Sequence, residues 1–393
     1  MLSKFAKFHE EFKATKLWTN MEATCENSPW HREANVAVHT QMIIDHYLAN
    51  FASQRTPRQQ ALTLLSILFH DTGKPVAKKS KHTEERGHYQ SFGGHEHVSA
   101  RLWEDYAVEN WNKWKQLKST FELKDTDIYL ISWIIENHLP HRLDNERDLQ
   151  NLANMLNSEP FEYGELATVY FDQIISDQAG RISDNQEKNM AEVQEFILGI
   201  KTSTPHTTTD RYVVEERRNN PNMPKLVLMV GASGSGKSTY SSKLEKEGYE
   251  YFSLDASRIK YAKENGVKGS NPIDVYARAF AYCDKHRGPF RQYATRQFDD
   301  LLDAKENIII DNTNVSRKAR YDYIGAARNH GYEIVCALFP ITKSELLKRQ
   351  KARKDKTVPI VAVLDQYKRI EMPWIGSECH RIDVSMGNVD GSD

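Results

Sequence analysis

The stretch that constrains the fold of this chain most begins at Lys225. An apolar run, KLVLMV (225–230), leads directly into a glycine-rich octapeptide and then into a helical pattern from about Lys237. The octapeptide matches G-x-x-x-x-G-K-[ST] at every position; its residues are Gly231, Ala232, Ser233, Gly234, Ser235, Gly236, Lys237 and Ser238. Between a strand and a helix, such a loop holds nucleotide phosphates on its backbone N–H groups. We therefore expect Lys237 to contact the β- and γ-phosphates and Ser238 to ligate Mg²⁺.

Short β-rich runs alternate with helical patterns from this point onward. These runs are KLVLMV (225–230), YEYFSL (249–254), NIIID (307–311) and EIVCALF (333–339). Such alternation is typical of a parallel sheet with crossover helices. We predict an α/β domain over residues 225–393.

The first half of the chain has helical rather than strand patterning. Apolar residues recur at helical spacing in Val36–Leu48, Ala61–Phe69, Val98–Tyr106, Ile128–Ile135 and Leu166–Ile175, and no stretch alternates convincingly as a strand. A polar run near residue 202 and a stretch rich in Asn and Pro at 219–224 mark a boundary. We predict an all-α domain over residues 1–202 and a linker over 203–224.

Composition excludes several classes of protein. Hydrophobic residues make up 39% of the 393 residues, charged residues 27%, and the net charge is −1. No apolar run approaches the ~18–20 residues of a membrane helix, and the N-terminus lacks the apolar core of a signal peptide. The four cysteines form no C-x-x-C pair, so we expect neither a disulfide framework nor a cysteine zinc site. These features predict a cytoplasmic protein that makes no membrane contact.

Charged residues follow two of the predicted strands. Asp255 comes directly after YEYFSL, three residues before Arg258. At the carboxyl edge of a parallel sheet, such a carboxylate can take the proton of an attacking hydroxyl while the arginine holds a substrate phosphate. Asp255 could instead cap a helix and Arg258 could be a surface charge. Similarly, Asp311 either ligates magnesium or belongs to the cap of a helix beginning near Ser316.

A basic segment, residues 348–356, fits either a lid over the γ-phosphate or a solvated helix end. Residues 225–370, which include this basic segment, resemble the kinase domain of the 5′-hydroxyl polynucleotide kinases of phage and bacterial RNA repair. The motifs that carry this resemblance are Gly236-Lys237-Ser238-Thr239, Asp255 with Arg258, Asn312-Thr313-Asn314, and Arg349 to Arg353 followed by Thr357-Val358-Pro359.

This resemblance implies specific roles in the second half. Asp255 would be the general base on the 5′-OH, Arg258 would hold the adjacent phosphate of the acceptor, and Arg353 would contact the donor phosphates. The loop, Thr239 and Arg353 would bind ATP or another nucleoside triphosphate with Mg²⁺. Ala256 departs from the family, which often has a second acid at that place.

Histidines and carboxylates recur at the predicted helix ends of the first half. They are His39, His70-Asp71, His95, His138 and Asp177. Imidazole and carboxylate groups are ligands for Mn, Fe, Co, Ni and Zn ions. If a helical bundle brings these residues together, they can bind one or two divalent cations, which lower the pKa of bound water and stabilise charge on a phosphate.

Two local motifs make this half resemble the HD phosphohydrolases. They are His70-Asp71-Thr72-Gly73-Lys74-Pro75 and Gly94-His95-Glu96. The resemblance, over residues 30–185, implies an all-α fold. It assigns His39, His70, Asp71 and Asp177 to a first metal, with Asp71 able to bridge, and His95 and His138 to a second. Lys74 would steady the substrate phosphate.

Several histidines and one aspartate leave the ligand set open. His97 competes with His95, His141 with His138, and Asp172 with Asp177. The remaining candidates are His31, His46, His82 and His88. We expect these histidines to have ordinary roles, with His88 the first exception to consider.

Together the two halves resemble the bifunctional end-healing enzymes of RNA repair. The first half would remove a 2′,3′-cyclic, 2′- or 3′-phosphate, and the second would phosphorylate a 5′-OH. RNA ends, or DNA ends, would be the substrate, and the absence of a K-x-D-G motif implies a separate RNA ligase. The alternatives are an HD nucleotidase or cyclic-nucleotide hydrolase fused to a small-molecule kinase, and an RNA-docking module without HD catalysis.

Overall fold

The structure is a computed structural model. It describes residues 1–26, 31–84, 87–109, 111–139, 146–156, 165–202, 222–353 and 358–385. The chain separates into two compact units, Met1–His206 and Thr207–Asp393. His141, Thr357 and the predicted linker up to residue 221 lie outside the described residues.

The first unit is built mainly from helices. In chain order they are α1 (Leu2–Lys13), α2 (Lys16–Glu22), α3 (Val36–Asn50), α4 (Pro57–Phe69), α5 (Lys74–Ala77), α6 (His95–Val108), α7 (Trp111–Phe121), α8 (Asp127–Glu136), α9 (Glu146–Leu156), α10 (Glu165–Ala179) and α11 (Gln186–Thr202). This confirms the helical character predicted from the apolar spacing.

Helix α4 runs through the centre of this unit. Thr56 and Gln59 form a capping box at its start, and Pro57 occupies the first turn, where the missing N–H costs nothing. Every residue from Ala61 to Phe69 is buried. Because the helix ends inside the unit, the His70-Asp71 pair that follows is also buried.

The prediction that this half contains no strands was wrong. Residues 79–83 and 87–91 form an antiparallel hairpin of two strands, β1 (Lys79–Thr83) and β2 (Gly87–Ser91). All of β1 is exposed, so its sequence, KSKHT, carries no apolar alternation. The period-2 signal arises only where one face of a strand is buried.

The second unit is a parallel α/β domain, as predicted. Its strands are β3 (Lys225–Val230), β4 (Glu250–Phe252), β5 (Ile308–Ile310), β6 (Glu333–Leu338) and β7 (Arg381–Val384), in the order β4-β5-β3-β6-β7. The helices are α12 (Lys237–Lys246), α13 (Leu254–Glu264), α14 (Pro272–Lys285), α15 (Arg287–Asp303), α16 (Arg317–Asn329), α17 (Lys343–Ala352) and α18 (Ile360–Lys368). The sequence pattern had not indicated β7.

The carboxyl ends of three adjacent strands meet at one edge of this sheet. Strand β3 pairs in parallel with β5, and β5 pairs in parallel with β4. The residues that follow these strands are therefore neighbours: the glycine-rich loop after β3, Ser253 after β4 and Asp311 after β5. In the described residues, no helix combines the length and the apolar character needed to cross a bilayer.

Candidate functional site

Five chain segments bring the histidines and carboxylates of the helical unit together. His39 lies within α3, His70 and Asp71 follow α4, His95 is the first residue of α6, His138 follows α8, and Asp177 lies near the end of α10. All six residues are buried, none more than 6% exposed. Residues distant in sequence thus form one cluster.

Asp71 lies at the centre of the cluster, with its two carboxylate oxygens facing different histidines. Its Oδ2 is 3.1 Å from Nε2 of His70 and 3.7 Å from Nε2 of His39. Its Oδ1 is 3.0 Å from Nε2 of His95 and 3.8 Å from Nε2 of His138. A carboxylate in this position is able to bridge two cations.

Backbone carbonyls fix the orientation of three of the rings. Nδ1 of His70 is 2.7 Å from the carbonyl of Ile67, and Nδ1 of His138 is 2.7 Å from the carbonyl of Ile135. Nδ1 of His95 is likewise 2.9 Å from a carbonyl, three residues before it. Because Nδ1 must carry a proton to donate there, Nε2 keeps its lone pair for a ligand when the ring is neutral.

Asp177 completes the group around His39. Its Oδ1 is 3.1 Å from Nε2 of His39 and 4.0 Å from Nε2 of His70. Nδ1 of His39 faces Glu33 Oε1 at 3.4 Å, so a carboxylate takes the place that a backbone carbonyl has for the other rings. His39 therefore also directs Nε2 toward the cluster.

Close backbone approach at Gly73 joins two of these segments. A Cβ on Gly73 would lie 2.4 Å from the carbonyl oxygen of His95 and 2.7 Å from the amide nitrogen of Ser99. The amide of Gly73 donates to Ser99 Oγ at 2.8 Å. Only glycine lets the turn after α4 approach the start of α6 so closely, which places Asp71 beside His95.

Two cations border the carboxylates of the cluster. Lys74 Nζ lies 2.7 Å from Asp71 Oδ2 and also contacts Glu26, and Arg181 contacts Asp177 Oδ2 at 3.0 Å. Burial opposes the charge of Lys74, but Asp71 and Glu26 outweigh it and raise its pKa. Lys74 thus stays charged in a buried position beside the cluster.

The cluster also shifts the pKa values of its own histidines. Burial lowers the pKa of His138 to about 3, helped by the nearby His70 and His95. Burial acts the same way on His39, yet Asp177 and Glu33 outweigh it and raise the pKa of His39 to about 9. The carboxylate side of the cluster therefore attracts positive charge, whereas the neutral form of His138 is favoured, with its Nε2 3.4 Å from Nε2 of His95.

The residues fit a divalent metal centre. Nε2 of His70 and Oδ1 of Asp71 are buried without a hydrogen bond of acceptable geometry. His39, His70 and Asp177 present ligand atoms within 4.8 Å of one another, and so do His70, Asp71 and His138. Neutral imidazoles with carboxylates suit Mn, Fe, Co, Ni or Zn.

The geometry separates the alternatives that the sequence left open. Nδ1 of His97 is 2.6 Å from Glu136, and its side chain is 43% exposed. Asp172 forms a two-point ion pair with Arg55 at 2.5 and 2.8 Å. His97 and Asp172 thus have partners of their own, whereas His95 lies 3.0 Å from Asp71 and Asp177 lies 3.1 Å from His39, so the geometry favours His95 and Asp177.

Sequence reasoning missed an outer group around this cluster. His31, expected to be ordinary, packs edge-on against His39 with ring centroids 4.9 Å apart. Its Nδ1 is 3.4 Å from Glu33 and 3.8 Å from Glu26, both buried. Burial lowers the pKa of His31 to about 4. The signal available was Glu-x-x-x-x-His-x-Glu ahead of α3, which carries no helical or motif context of its own.

In the second unit, the glycine-rich loop connects β3 to α12. Gly234 and Gly236 have φ values of +94° and +108°, in the left-handed region that favours glycine. Nζ of Lys237 donates to the carbonyls of Gly231 and Ala232, both at 2.8 Å. The ammonium group therefore lies over the loop, at the helix N-terminus where an anion binds.

Other loop residues have separate partners. The amide of Ser233 donates to Gln366 Oε1 at 2.9 Å. A Cβ on Gly231 would lie 2.6 Å from Ser235 Oγ, so the loop is tightly folded there. Thr239 follows Ser238 in the first turn of α12.

Asp311 faces the loop rather than capping a helix. Ser238 Oγ lies 3.4 Å from Asp311 Oδ2, and the hydroxyl of Tyr251 donates to the same oxygen at 3.1 Å. Ser316 caps α16, since its side chain accepts from the amide of Ala319. The geometry thus favours the first of the two roles considered for Asp311, a magnesium ligand beside Ser238.

Asp255 likewise does not cap α13. Ser253 is the N-cap, and its side chain accepts from the amide of Asp255. Oδ1 of Asp255 accepts from Arg258 at 2.9 Å, and Oδ2 accepts from the Tyr276 hydroxyl at 3.4 Å. The Arg258 guanidinium also lies 5.0 Å from the ring centroid of Phe280, which is 48% exposed.

The Asn312-Thr313-Asn314 stretch holds the sheet edge together. Asn312 Oδ1 accepts from the amide of Leu254, and the carbonyl of Thr313 accepts from the amide of Gly231. Asn314 donates to the carbonyl of Met229 at 3.0 Å and to that of Ile310 at 3.2 Å. These contacts are structural, and they fix Asp255 and the loop relative to one another.

The basic segment, residues 348–356, begins within α17 and continues past the end of this helix. Arg353 is the C-cap of this helix and is half-buried. Burial raises the pKa of Tyr276, whereas the charge of Arg353 acts to lower it. Arg349 also reaches the loop: its Nη1 lies 3.6 Å from the point where a Cβ on Gly236 would be. Residues 354–357 lie outside the described ranges.

Comparison with known proteins gives a consistent result for this unit. Residues 226–373 match a family model described as an AAA domain. The second unit resembles a P-loop kinase. A curated relative, the putative bifunctional polynucleotide kinase/RNA ligase of Autographa californica nuclear polyhedrosis virus, is 24% identical over 136 residues, which are 35% of this chain. The match spans only 19% of the length of that viral protein.

A solved structure is also similar. A chain of the Pnkp1/Rnl/Hen1 RNA repair complex is 24% identical, with 39% of this chain and 46% of that chain covered, at a TM-score of 0.31.

Proposed function

We propose that this chain heals both ends of broken RNA. The second unit would transfer the γ-phosphate of a nucleoside triphosphate to a 5′-OH end, and the first would remove a 2′,3′-cyclic, 2′- or 3′-phosphate. The observation that supports the proposal is that one chain carries two separate groups of residues suited to phosphate chemistry: the His39, His70, Asp71, Asp177 group and the Lys237, Asp255, Asp311 edge.

For the kinase, the positions of Lys237 and Asp255 support the proposed reaction. Lys237 would leave the carbonyls of Gly231 and Ala232 to pair with the donor phosphates. Asp255 would take the proton of the 5′-OH as that oxygen bonds to the γ-phosphorus, and the bond to the β-phosphate oxygen breaks. Arg258 would hold the next phosphate of the acceptor, and Arg353 the donor phosphates.

Mg²⁺ would be held by Ser238 and Asp311 together with the donor phosphates, and when bound it neutralises charge on the β- and γ-phosphates. The other loop residues that would contact the donor are Gly231, Ser233, Gly234, Ser235, Gly236 and Thr239. Their backbone N–H groups suit phosphate oxygens.

For the phosphohydrolase, the residues proposed as ligands are His39, His70, Asp71 and Asp177 for one ion and His95, His138 and Asp71 for a second. A divalent ion there supplies a water of lowered pKa and stabilises charge on the phosphate. Lys74 and Arg181 are cations beside Asp71 and Asp177, in place to attract a phosphate monoester or diester. In the hydrolysis of a cyclic phosphate, a water oxygen bonds to phosphorus, the P–O2′ or P–O3′ bond breaks and the freed ribose oxygen takes a proton. A second hydrolysis of the resulting monoester would then release inorganic phosphate and leave both hydroxyls.

The pairing of the two activities has a chemical rationale. Many ribonucleases leave a 2′,3′-cyclic phosphate and a 5′-OH, whereas a ligase requires a 3′-OH and a 5′-phosphate. One chain with both sites would convert the first pair of ends into the second. A separate RNA ligase would then seal the break.

Site-specific variants test the proposal. Lys237→Ala and Asp255→Ala should each reduce 5′-phosphorylation by roughly 1,000-fold while 3′-end hydrolysis continues. Asp71→Ala should do the reverse. Loss of both activities in any of these variants, with the fold intact by circular dichroism, would contradict the two-site proposal. Phosphorylation of free nucleosides in preference to oligonucleotides would favour a small-molecule kinase.

A further inference from the structure

The hairpin β1–β2 connects two parts of the candidate metal cluster. Strand β1 begins five residues after Lys74, and β2 ends four residues before His95. Phe92, just after β2, packs its ring 5.7 Å from Lys74 Nζ, and its carbonyl lies 2.9 Å from Nδ1 of His95. The base of the hairpin is therefore anchored at the cluster, while β1 is exposed along its whole length and β2 is half-buried except at the exposed His88.

The two faces of this ribbon differ in chemistry. Side chains alternate along a strand, and Lys81 pairs directly with Tyr89, so Lys79, Lys81 and Tyr89 share one face. Both lysines are exposed. The other face carries His82 opposite His88, with ring centroids 4.5 Å apart.

The first face has the two groups that bind single-stranded nucleic acid. The lysines stand two residues apart on one strand, at about 7 Å, and offer positive charge along a line. Tyr89, half-buried beside them, adds an aromatic ring, the kind of group on which a base of any sequence stacks. The negatively charged backbone of a nucleic acid complements this face. A strand bound along the face would reach the cluster at the base of the hairpin.

We propose that the Lys79, Lys81 and Tyr89 face binds the RNA nucleotides just upstream of the 3′ end and directs that end to the cluster. The inference rests on the proposed phosphohydrolase function and adds the surface that would hold the RNA strand beside the cluster. Lys79 and Lys81 contact phosphates, and Tyr89 stacks on a base.

The test compares an RNA strand with a mononucleotide. The protein is the full chain with Mn²⁺, and the substrates are a 5′-phosphorylated oligoribonucleotide with a 2′,3′-cyclic phosphate end and free 2′,3′-cyclic AMP. The 5′-phosphate removes the kinase acceptor. The variant is Lys79→Gln/Lys81→Gln, and its control is Lys7→Gln/Lys16→Gln, which makes the same charge change on exposed lysines elsewhere in the unit.

The hairpin variant should lose about tenfold or more in kcat/KM on the oligonucleotide and stay within about twofold of wild type on 2′,3′-cyclic AMP. The control variant should change neither value. Tyr89→Ala should also lose about tenfold on the oligonucleotide alone. Equal losses on both substrates, or unchanged activity on the oligonucleotide, would overturn the inference.

A binding measurement separates this inference from the proposed function. Fluorescence anisotropy with the same RNA and metal-free protein needs no turnover. The slope of log K against log salt is negative, and each lost phosphate contact should reduce its magnitude by about 0.7, so the double variant should reduce it by about 1.4. If the wild-type protein hydrolyses neither substrate, the proposed phosphohydrolase function is wrong. An unchanged salt slope in the double variant would overturn the hairpin proposal independently of that result.

Discussion

Gly180 lies against the backbone of Ile43, so closely that a Cβ on Gly180 would come within 2.8 Å of the Ile43 amide nitrogen. Gly180 follows α10, which carries Asp177, and Ile43 lies one turn after His39 in α3. The contact thus sets the distance between two members of the cluster. We predict that Gly180→Ala lowers the free energy of unfolding by about 1–3 kcal/mol, because the backbone must shift to admit a methyl group.

Gly199 provides the matched control. It lies within α11, and a Cβ there would meet nothing within 4 Å. Gly199→Ala should raise the free energy of unfolding by about 0.5–1 kcal/mol, since alanine is the better helix former. Urea denaturation followed by circular dichroism measures both. Equal effects from the two substitutions would contradict the close approach at Gly180.

Glu33 orients His39 through Nδ1, at 3.4 Å. We predict that Glu33→Gln weakens Mn²⁺ binding by about 10–100-fold, because outer carboxylates fix the ring orientation and basicity of a ligating histidine. Isothermal titration of the metal-free protein measures this. Asp172→Asn is the control. Asp172 lies on the same helix as Asp177 and forms an ion pair with Arg55. Its substitution breaks that pair, and should lower stability without changing metal affinity. Equal metal affinity in Glu33→Gln and wild type would refute the orienting role.

Asp311 and Ser238 face one another at 3.4 Å. We predict that Asp311→Asn raises the Mg²⁺ concentration for half-maximal phosphorylation about tenfold or more, because a neutral amide binds Mg²⁺ less strongly than a carboxylate. Kinase assays at fixed ATP and varied Mg²⁺ measure this. Asp365→Asn, a surface carboxylate paired with Arg369, is the control and should leave the curve unchanged. An unchanged Mg²⁺ requirement in Asp311→Asn would exclude the carboxylate as a ligand.

Glu104 makes stability depend on pH. It is buried between Arg101 and Ser132, at 2.6 and 3.1 Å, and burial raises its pKa from 4.5 to about 7, although Arg101 opposes the shift. The folded state therefore binds the proton more tightly than the unfolded chain does. The stabilising contribution of Glu104 is full below pH 4.5 and is lost as the pH rises through 7.

We predict that Glu104→Gln gains stability over wild type by roughly 2–3 kcal/mol between pH 5 and pH 8, since glutamine stays neutral throughout. Denaturation at the two pH values measures the difference, with the exposed Glu11→Gln as control. A difference from wild type that is the same at both pH values would show that Glu104 does not titrate in this range.

The sequence predicted element types well where burial leaves a pattern. The apolar runs of α4, β3 and β6 are fully or almost fully buried, and their periodicity and length were readable. The hairpin β1–β2 was missed because β1 is exposed throughout and β2 is at most half-buried, so neither strand carries an apolar alternation. Strand β7 was missed because only Ile382 of its four residues is buried.

The candidate site was predictable where a local motif exists and not where tertiary packing supplies the partner. His70-Asp71 and the loop at Gly231 are recognisable from a few consecutive residues. His31, Glu26 and Glu33 carry no such motif, and only the approach of the chain ahead of α3 brings them to His39. Likewise, the choice between helix cap and site residue for Asp255 and Asp311 depended on Ser253 and Ser316, which take the capping roles.

The central claim is tested most directly by incubating the wild-type chain with an RNA bearing a 5′-OH and a 2′,3′-cyclic phosphate. With ATP, Mg²⁺ and Mn²⁺ present, mass spectrometry reads both ends at once. The account predicts a gain of one phosphate at the 5′ end and loss of the phosphate at the 3′ end. Unchanged mass at both ends would contradict it, and a gain without a loss would retain the kinase and reject the phosphohydrolase.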